Sequence, residues 1–273
     1  MSRFTPEKHL AQVQASMDAA GPRTAEVLRA AVKHLHAFVE EVNLTRDEWF
    51  AGIEFLTRVG QTCDATRQEF ILLSDVLGVS MLVEMLNTPG DGAEATEPTV
   101  FGPFHVDGAP ARPLGASIVD ADVGGEPLTV RGTVRDTAGT PIAGASLDVW
   151  QTAPNGLYDV QDESQPPMNL RGVFTTGDDG GYSFETVRPA AYPIPGDGPV
   201  GDLLQAAGRH NWRPGHIHLA VSAPGHAPVI THIFDRASDY LDSDAVFGVR
   251  PSLVVDMDGG EARFDPVLLP VAV

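Results

Sequence analysis

Cysteine is almost absent from this chain of 273 residues, in which Cys63 is the only one. A single thiol can form no intrachain disulfide and cannot supply a cysteine cluster for a metal. Basic residues are scarce as well: there are 18, against 37 acidic residues, which gives a formal net charge of −19. Since a nucleic-acid-binding surface needs clustered Lys and Arg, this charge argues against a nucleic-acid partner. We interpret the excess of acid as a solvated surface.

Long apolar runs are missing too. The longest, residues 70–86, is interrupted by Ser74, Asp75 and Glu84, so we do not expect it to span a membrane. The first residues are polar and charged and lack the apolar segment of a signal peptide. We therefore expect a cytoplasmic protein without a membrane span. A chain of this length has ample core for one large domain or two modest ones.

The pattern of the sequence changes near residue 95. Residues 5–87 are predicted to be helical, because apolar residues recur at three- and four-residue spacing, for example from Leu28 to Val42. Thr45-Arg46-Asp47-Glu48 and Thr66-Arg67-Gln68-Glu69 both fit the capping box of a helix N-terminus. The Pro- and Gly-containing stretch 87–92 then predicts a linker.

From about residue 100 the chain consists of short β-branched runs separated by Gly- and Asp-rich turns. This pattern is typical of an antiparallel β-sandwich. The predicted fold class is therefore α+β, mainly β, with a helical domain over residues 1–95 and a β-sandwich domain over residues 96–273 that carries the candidate site. The predicted strands are 128–134, 146–151, 181–187, 217–222, 229–234, 252–256 and 262–266.

Gly215-His216-Ile217-His218 places two histidines two residues apart in an extended segment. Residues i and i+2 of a strand point to the same face, so both imidazoles can face one metal ion. Taken alone, the pair is equally compatible with a hydrogen-bonded core.

Two of the four tyrosines lie upstream of these histidines in unusual settings. Tyr158 follows a strand and the turn Pro154-Asn155-Gly156, and Tyr192 begins the rigid segment Tyr192-Pro193-Ile194-Pro195. A phenol has a pKa near ~10 and is normally neutral, but a strongly charged cation can hold it as phenolate. Two phenolates with two imidazoles suit Fe(III) better than Zn(II). Considered singly, either ring could instead fill a core.

Taken together, these motifs resemble the intradiol ring-cleavage dioxygenases over nearly the whole chain. The signatures are Asp148-Val149-Trp150-Gln151 leading to Asn155-Gly156-Leu157-Tyr158, then Tyr192-Pro193-Ile194-Pro195, and finally Arg213-Pro214-Gly215-His216-Ile217-His218. Any one of them would be a weak signal, but their combination in this order is specific.

The resemblance implies a non-haem Fe(III) cofactor. Its ligands would be Tyr158, Tyr192, His216 and His218. Tyr192 would also leave the metal when the diol binds and accept a proton, which is general-base catalysis. Arg213 would stabilise negative charge on the ring, although it could instead form a structural ion pair. His232 is grouped with these catalytic residues, but many catechol enzymes carry Gln there, so its role in O₂ attack stays open.

Residues 67–78 and 99–104 resemble the hydroxyquinol-cleaving branch of the family. The resemblance implies cleavage of hydroxyquinol (benzene-1,2,4-triol) by O₂ between the two vicinal hydroxyl-bearing carbons, giving 3-hydroxy-cis,cis-muconate/maleylacetate. Asp75 interrupts an apolar helix face and could bind a third substrate hydroxyl, or be satisfied by backbone or an arginine. The implied substrate pocket consists of Leu72, Asp75, Val100, Phe101, Gly102, Pro103, Phe104, Ile194, Pro195, Arg213 and Val246.

Other functions stay open at this point. A catechol or chlorocatechol 1,2-dioxygenase is the alternative within the family, and a non-catalytic β-sandwich binding protein is the alternative from a different class. A zinc hydrolase is disfavoured, because the chain has neither a His-Glu-x-x-His motif nor a thiolate cluster. The resemblance further implies a homodimer through the N-terminal helices, with room for a phospholipid. The apolar stripe of residues 28–42 fits that dimer but could equally pack on the sandwich of its own chain.

Overall fold

The computed structural model describes residues 4–64, 67–88 and 95–271. Contacts within the chain divide it into two compact units, residues 1–58 and 59–273. This division is based on contacts in space, whereas the predicted boundary at residue 95 is based on the change from helical to strand-like sequence. The predicted boundary therefore stays a prediction. Within the described residues, no helix is both long enough and apolar enough to cross a membrane.

The first unit is helical. Its helices are α1 (Pro6–Ala15), α2 (Pro22–Glu41) and most of α3 (Arg46–Thr62). Gln14 and Arg29 join α1 to α2, since each side chain donates to the backbone carbonyl of the other residue at 3.3 Å. The predicted capping box at the start of α3 is confirmed: Thr45 N donates to Glu48 Oε2 at 2.8 Å, and Glu48 N donates to Thr45 Oγ1 at 3.3 Å.

Three further helices belong to the second unit: α4 (Glu69–Val76), α5 (Val79–Asn87) and α6 (Pro199–Ala206). The structure corrects the predicted start of α4, which begins at Glu69 after Gln68, whereas Thr66 lies outside the described residues. Glu69 is fully buried and caps α6 instead, because its Oε1 accepts from Val200 N at 3.2 Å while Arg67 Nε donates to its Oε2 at 2.9 Å. Most of the predicted linker at 87–92 also lies outside the described residues.

The strands of the second unit form a sandwich. They are β1 (Pro127–Thr133), β2 (Arg135–Asp136), β3 (Ser146–Trp150), β4 (Arg171–Thr175), β5 (Gly181–Val187), β6 (Tyr192–Pro193), β7 (Trp212–Arg213), β8 (His216–Ser222), β9 (Val229–Asp235), β10 (Val254–Val255), β11 (Glu261–Arg263) and β12 (Val267–Leu268). One sheet has the order β11-β1-β5 and the other the order β10-β9-β8-β3-β4, while β6 pairs with β7 and β12 with β2.

The long pairings are antiparallel, as predicted: β1 with β5, β3 with β4 and β8, and β8 with β9. The short strands β10, β11 and β12 depart from this, because each pairs in parallel with its neighbour. All seven predicted strands are present; strand β5 has the predicted ends, and the other six have shifted ends. Strand β4 was not predicted, since it begins with the charged Arg171, whose burial depends on an ion pair with Asp159 at 2.6 Å.

Strand β8 shows how the sandwich positions the site. Its odd-numbered residues Ile217 and Leu219 are fully buried in the core between the sheets. Because side chains alternate along a strand, His216 and His218 lie on the opposite face of the same sheet. The other core residues that the two sheets share with them include Leu128, Val130, Leu147, Val149, Phe184 and Val221.

Candidate metal centre and active site

His216 and His218 lie side by side on the outer face of β8, with ring centroids 4.9 Å apart. Both are buried. His216 Nδ1 lies 2.7 Å from the carbonyl oxygen of Pro214, which can only accept. Nδ1 therefore carries the proton, and Nε2 keeps a lone pair that can accept a hydrogen bond or bind a metal ion. The prediction that the two rings share one face is confirmed.

The two tyrosines meet these histidines. Tyr158 Oη lies 3.0 Å from His218 Nε2 and 3.3 Å from Tyr192 Oη. Tyr192 in β6 pairs directly with Arg213 in β7, which brings it beside the histidine strand. A tight turn presents Tyr158: Gly156 has a φ of +83°, and a Cβ there would lie 2.9 Å from Tyr192 Cβ. Glycine at this position therefore allows the two tyrosine segments to approach.

The surroundings of Tyr158 determine the charge of its phenol. Burial, and then the neighbouring Tyr192, raise the pKa of Tyr158 well above its ordinary value. Without a cation the Tyr158 phenol stays protonated, whereas a bound metal ion reverses that preference. The segment thus provides a buried oxygen donor whose ionisation depends on a metal.

The imidazoles are held in the form that binds metals. Burial, and then the positive charge of Arg213, lower the pKa of His216 to about 3. Burial, followed by the neighbouring His216, lowers the pKa of His218 well below its ordinary value. Both rings are therefore neutral at physiological pH, as a ligand must be.

His232 in β9 lies opposite His218 and gives the cluster a third imidazole. One ring nitrogen from each of His216, His218 and His232 can be chosen so that all lie within 4.8 Å of one another. However, His232 Nε2 is 2.8 Å from His218 Nδ1, the nitrogen that faces away from Tyr158. This contact is typical of a residue that orients a metal ligand. The donor set that fits a ferric ion best is two phenol oxygens and two imidazole nitrogens.

Arg213 is the buried cation of the site and is 3% exposed. Its Nη1 lies 3.2 Å from His216 Nε2, and its Nε donates to Asp244 Oδ1 at 3.0 Å. Burial would lower the pKa of Arg213, but Asp244, Tyr192 and Tyr158 together raise it above its ordinary value. Asp244 responds in the opposite direction: burial would raise its pKa, but Arg213 lowers it. The pair is therefore fully ionised.

A narrow cavity of about 30 Å³ leads to these groups. Ten of the eleven residues predicted for the substrate pocket line it, together with Tyr158, Tyr192 and His218. A wider cleft of about 460 Å³ shares Leu72, Pro103, Phe104 and Pro195 with the narrow cavity. The ten lining residues are Leu72, Asp75, Val100, Gly102, Pro103, Phe104, Ile194, Pro195, Arg213 and Val246.

Phe101 is the predicted pocket residue that does not line the cavity. Its ring is 40% exposed and packs against His105 and Trp150, with centroid distances of 4.7 and 5.8 Å. Its neighbours Val100 and Gly102 face the cavity instead. A substrate contact by Phe101 stays a prediction without support from this geometry.

Two residues at the site were not predicted from the sequence. Asp244 binds Arg213, and Gly248 donates its backbone N–H to Asp244 Oδ2 at 2.9 Å. Both lie in an irregular segment without motif or periodicity, 31 and more residues beyond Arg213. In the sequence, Asp244 follows Asp242-Ser243 and precedes Ala245-Val246-Phe247, so nothing local distinguishes it from the neighbouring acidic residues.

Comparison with known proteins extends these observations. The family model described as "Dioxygenase" matches residues 100–267, and the model described as "Catechol dioxygenase N terminus" matches residues 21–94. The chain belongs to the intradiol ring-cleavage dioxygenase family. This confirms the resemblance noted in the sequence, and members of this family use non-haem iron.

Individual relatives cover most of the chain. The 6-chlorohydroxyquinol 1,2-dioxygenase of Cupriavidus pinatubonensis is 52% identical over 88% of this chain and 86% of its own length. The hydroxyquinol 1,2-dioxygenase of a Rhizobium species is 51% identical over 93% of this chain and 86% of its own length. The solved structure of hydroxyquinol 1,2-dioxygenase from Pseudomonas putida superposes with a TM-score of 0.91 at 46% identity, covering 97% of this chain and 99% of that one. These structural similarities confirm the predicted fold class.

Proposed function

We propose that this intradiol dioxygenase cleaves hydroxyquinol with O₂ between its two vicinal hydroxyl-bearing carbons and releases 3-hydroxy-cis,cis-muconate, a tautomer of maleylacetate. Both oxygen atoms enter the product. The observation that carries the proposal is the cavity in which Tyr158, Tyr192 and His218 meet a buried acid, Asp75. The three relatives described above support the same substrate class, since their names specify hydroxyquinol or its chlorinated form.

Four residues would hold the metal, which we propose to be Fe(III): Tyr158, Tyr192, His216 and His218. Two phenolates and one hydroxide would balance the charge of a ferric ion. Bound there, Fe(III) would supply the Lewis acidity that activates a coordinated diol toward O₂. Zinc is a poorer match, because its sites favour thiolate, imidazole and carboxylate over phenolate.

The surroundings of the two tyrosines suggest different roles. Tyr158 Oη has partners in both His218 and Tyr192, and the Arg171 guanidinium lies 5.9 Å from its ring centroid. This buried cation favours a phenolate that stays in place. Tyr192 begins a two-residue strand beside the cavity, and its Oη would accept a proton from a substrate hydroxyl.

Arg213 would act on the ring itself. It lines the cavity, is permanently charged and offers five N–H donors in a fixed plane. A buried cation in a fixed orientation stabilises negative charge that develops in the transition state without costly reorganisation. His232 does not line the cavity, so we assign it an indirect role through His218.

The remaining pocket residues would select the ring. Leu72, Val100, Ile194 and Val246 provide apolar walls for an aromatic ring. Burial raises the pKa of Asp75, against the opposing effects of a hydrogen bond to Ser80 and the charge of Arg213. A protonated Asp75 can both donate to and accept from a third hydroxyl. Catechol lacks that hydroxyl and would leave Asp75 with only its hydrogen bond to Ser80, so the catechol and chlorocatechol alternatives are less favoured.

Steady-state turnover of the iron-loaded protein tests this proposal. We expect one O₂ consumed per hydroxyquinol, and a product identified as 3-hydroxy-cis,cis-muconate or maleylacetate by mass spectrometry with ¹⁸O₂. The expected kcat/KM for hydroxyquinol exceeds that for catechol. A preference for catechol would overturn the substrate assignment, whereas absence of cleavage with every diol would overturn the activity itself.

We also propose that the protein is a cytoplasmic homodimer. Leu28, Leu35 and Val39 of α2 are 43%, 62% and 44% exposed, so the single chain leaves part of this apolar stripe uncovered. Exposed apolar patches of this kind often mark contact surfaces. Apolar side chains of this type could also contact a phospholipid held between two copies.

A further inference from the structure

Arg213 can serve a ring in the cavity only if its guanidinium keeps one orientation. Its five N–H donors lie in one plane, and Asp244 occupies one edge of that plane through two hydrogen bonds: Nε donates to Oδ1 at 3.0 Å and Nη2 to Oδ2 at 3.3 Å. The third nitrogen, Nη1, then lies 3.2 Å from His216 Nε2, at the candidate metal centre. Asp244 therefore determines which edge of the guanidinium faces the chemistry.

Asp244 is itself held from the other side. Besides Arg213 Nε, its Oδ1 accepts from Val246 N at 3.3 Å, and besides Arg213 Nη2, its Oδ2 accepts from Gly248 N at 2.9 Å. Each carboxylate oxygen thus serves two donors. The segment is joined to β7 by the hydrogen bond from Ala245 N to Trp212 O at 3.1 Å. The same turn carries Val246, which lines the cavity.

Gly248 leaves the room that this pair needs. A Cβ at that position would lie 3.0 Å from Arg213 Nη2 and 3.1 Å from Asp244 Oδ2. A methyl group there would displace the guanidinium or the carboxylate without changing any charge. The turn and the ion pair are therefore fitted to each other at van der Waals distance.

We propose that Asp244 is a positioning residue for ring cleavage, which holds the Arg213 guanidinium so that its Nη1 edge faces the reacting ring. This proposal rests on the proposed dioxygenase function. Asp244 acts through Arg213 and does not itself line the narrow cavity. A buried charge is costly unless it is paired, so the carboxylate also keeps the guanidinium inside the protein.

Asp244→Asn is the sharpest substitution. Asparagine has nearly the same shape, but its amide nitrogen would replace an oxygen that accepts from two donors, so two N–H groups would face an N–H₂ group. In the iron-loaded protein we expect kcat/KM for hydroxyquinol to fall about 100- to 1,000-fold, with unchanged iron content and an unchanged visible spectrum. Asp244→Ala is less informative, because Asp244 also lines an outer cleft of about 450 Å³ that would admit water.

Two further substitutions separate positioning from a merely structural role. Gly248→Ala keeps every charge and should reduce kcat/KM by about tenfold to 100-fold through displacement alone. Asp244→Asn introduced into an Arg213→Ala background should cost less than about threefold more, because residues that act as a unit are not additive. Arg188 and Asp235 provide a matched control, because Nε and Nη2 of Arg188 donate to the two Asp235 oxygens at 2.6 and 3.1 Å. Neither residue lines the narrow cavity. Asp235→Asn should lower Tm but keep kcat/KM.

The possible outcomes are distinct. If the wild-type protein cleaves no diol, the proposed function fails. If the wild type is active but Asp244→Asn keeps full activity, loses its iron, or costs as much in the Arg213→Ala background, then Asp244 is not a positioning residue. If Asp244→Asn does not fold, Gly248→Ala decides: retained activity overturns the proposal, and a loss of activity with the spectrum intact supports it.

Discussion

His232 Nε2 lies 2.8 Å from His218 Nδ1, across the antiparallel pair of β9 and β8. The other nitrogen of His218 lies 3.0 Å from Tyr158 Oη. The His218 imidazole thus links Tyr158, which lines the cavity, to His232, which does not. Burial, and then His218, lower the pKa of His232 well below its ordinary value, so the contact is between two neutral rings. When His232 Nε2 accepts the hydrogen bond, His218 carries its proton on Nδ1, and its Nε2 is left with a lone pair on the side of Tyr158.

From this contact we predict that His232→Leu weakens iron binding by about 10- to 100-fold, the usual effect of removing a partner that orients a metal ligand. His232→Gln should keep most of the affinity, because its amide can still hydrogen bond to His218 Nδ1. Competition with a chelator measures both variants. Equal iron retention in wild type and His232→Leu would contradict the assigned role.

Asp75 should control the choice of substrate. We predict that Asp75→Ala lowers the ratio of kcat/KM for hydroxyquinol to that for catechol by about tenfold or more, mainly through loss of hydroxyquinol activity. The comparison of the two substrates in one variant is its own control for folding and iron content. A ratio that does not respond to the substitution would show that Asp75 does not bind the third hydroxyl.

Asp75 should also make stability depend on pH. The folded state raises the pKa of this carboxyl above its ordinary value, with burial as the largest cause. A raised folded-state pKa contributes stability that is present below the unfolded-state pKa and is lost as the pH rises through the folded-state value. We therefore predict that Asp75→Asn gains stability relative to wild type as the pH rises from about 4 to 8.

Urea unfolding of the two proteins across that range measures this difference. A difference that stays constant with pH, or that shrinks as the pH rises, would mean that Asp75 is ionised in the folded protein at neutral pH. In that case it would accept a hydrogen bond from the third hydroxyl but could not donate one.

The sequence could predict the features that depend on local spacing. The shared face of His216 and His218 follows from the two-residue period of a strand, and the capping box at Thr45 from four consecutive residues. The proximity of Tyr158 and Tyr192 was accessible only through the family resemblance, because the turn at Gly156 brings together segments 34 residues apart.

The remaining features of the fold and site depend on contacts between distant segments, which no local sequence pattern predicts. Asp244 meets Arg213 across 31 residues, and Glu69 meets Val200 across 131. The Glu69 carboxylate accepts from the first turn of α6, although Glu69 itself begins α4. The capping box predicted from Thr66 lies outside the described residues. Strand β4 was not predicted because it begins with a charged residue, Arg171. This arginine is buried only because Asp159 neutralises its charge, and the sequence pattern does not show that ion pair.

The exposed stripe of α2 makes the assembly testable. We predict a dimer at micromolar concentration by light scattering, and dissociation to a monomer in the double variant Leu35→Lys, Phe38→Lys, since both side chains are more than half exposed, at 62% and 52%. Glu26→Lys, which reverses an exposed charge on the same helix, is the control and should stay dimeric. A wild-type monomer would contradict the prediction.

The two tyrosines should be distinguishable by spectroscopy. Phenolate bound to ferric iron absorbs visible light by charge transfer, so the iron-loaded protein should be red, and either Tyr158→Phe or Tyr192→Phe should alter the band. Tyr182→Phe is the matched control, because its buried hydroxyl donates to Phe264 O at 2.7 Å in another part of the sandwich.

The two tyrosines should also differ in proton uptake. We predict that only Tyr192→Phe reduces proton uptake by the protein when a diol is added without O₂, measured with a pH indicator, since Tyr192 Oη is the proposed acceptor. A band that is unchanged in both variants would mean that neither phenol binds the metal, and an equal loss of proton uptake in both would contradict the assignment of Tyr192 as the base.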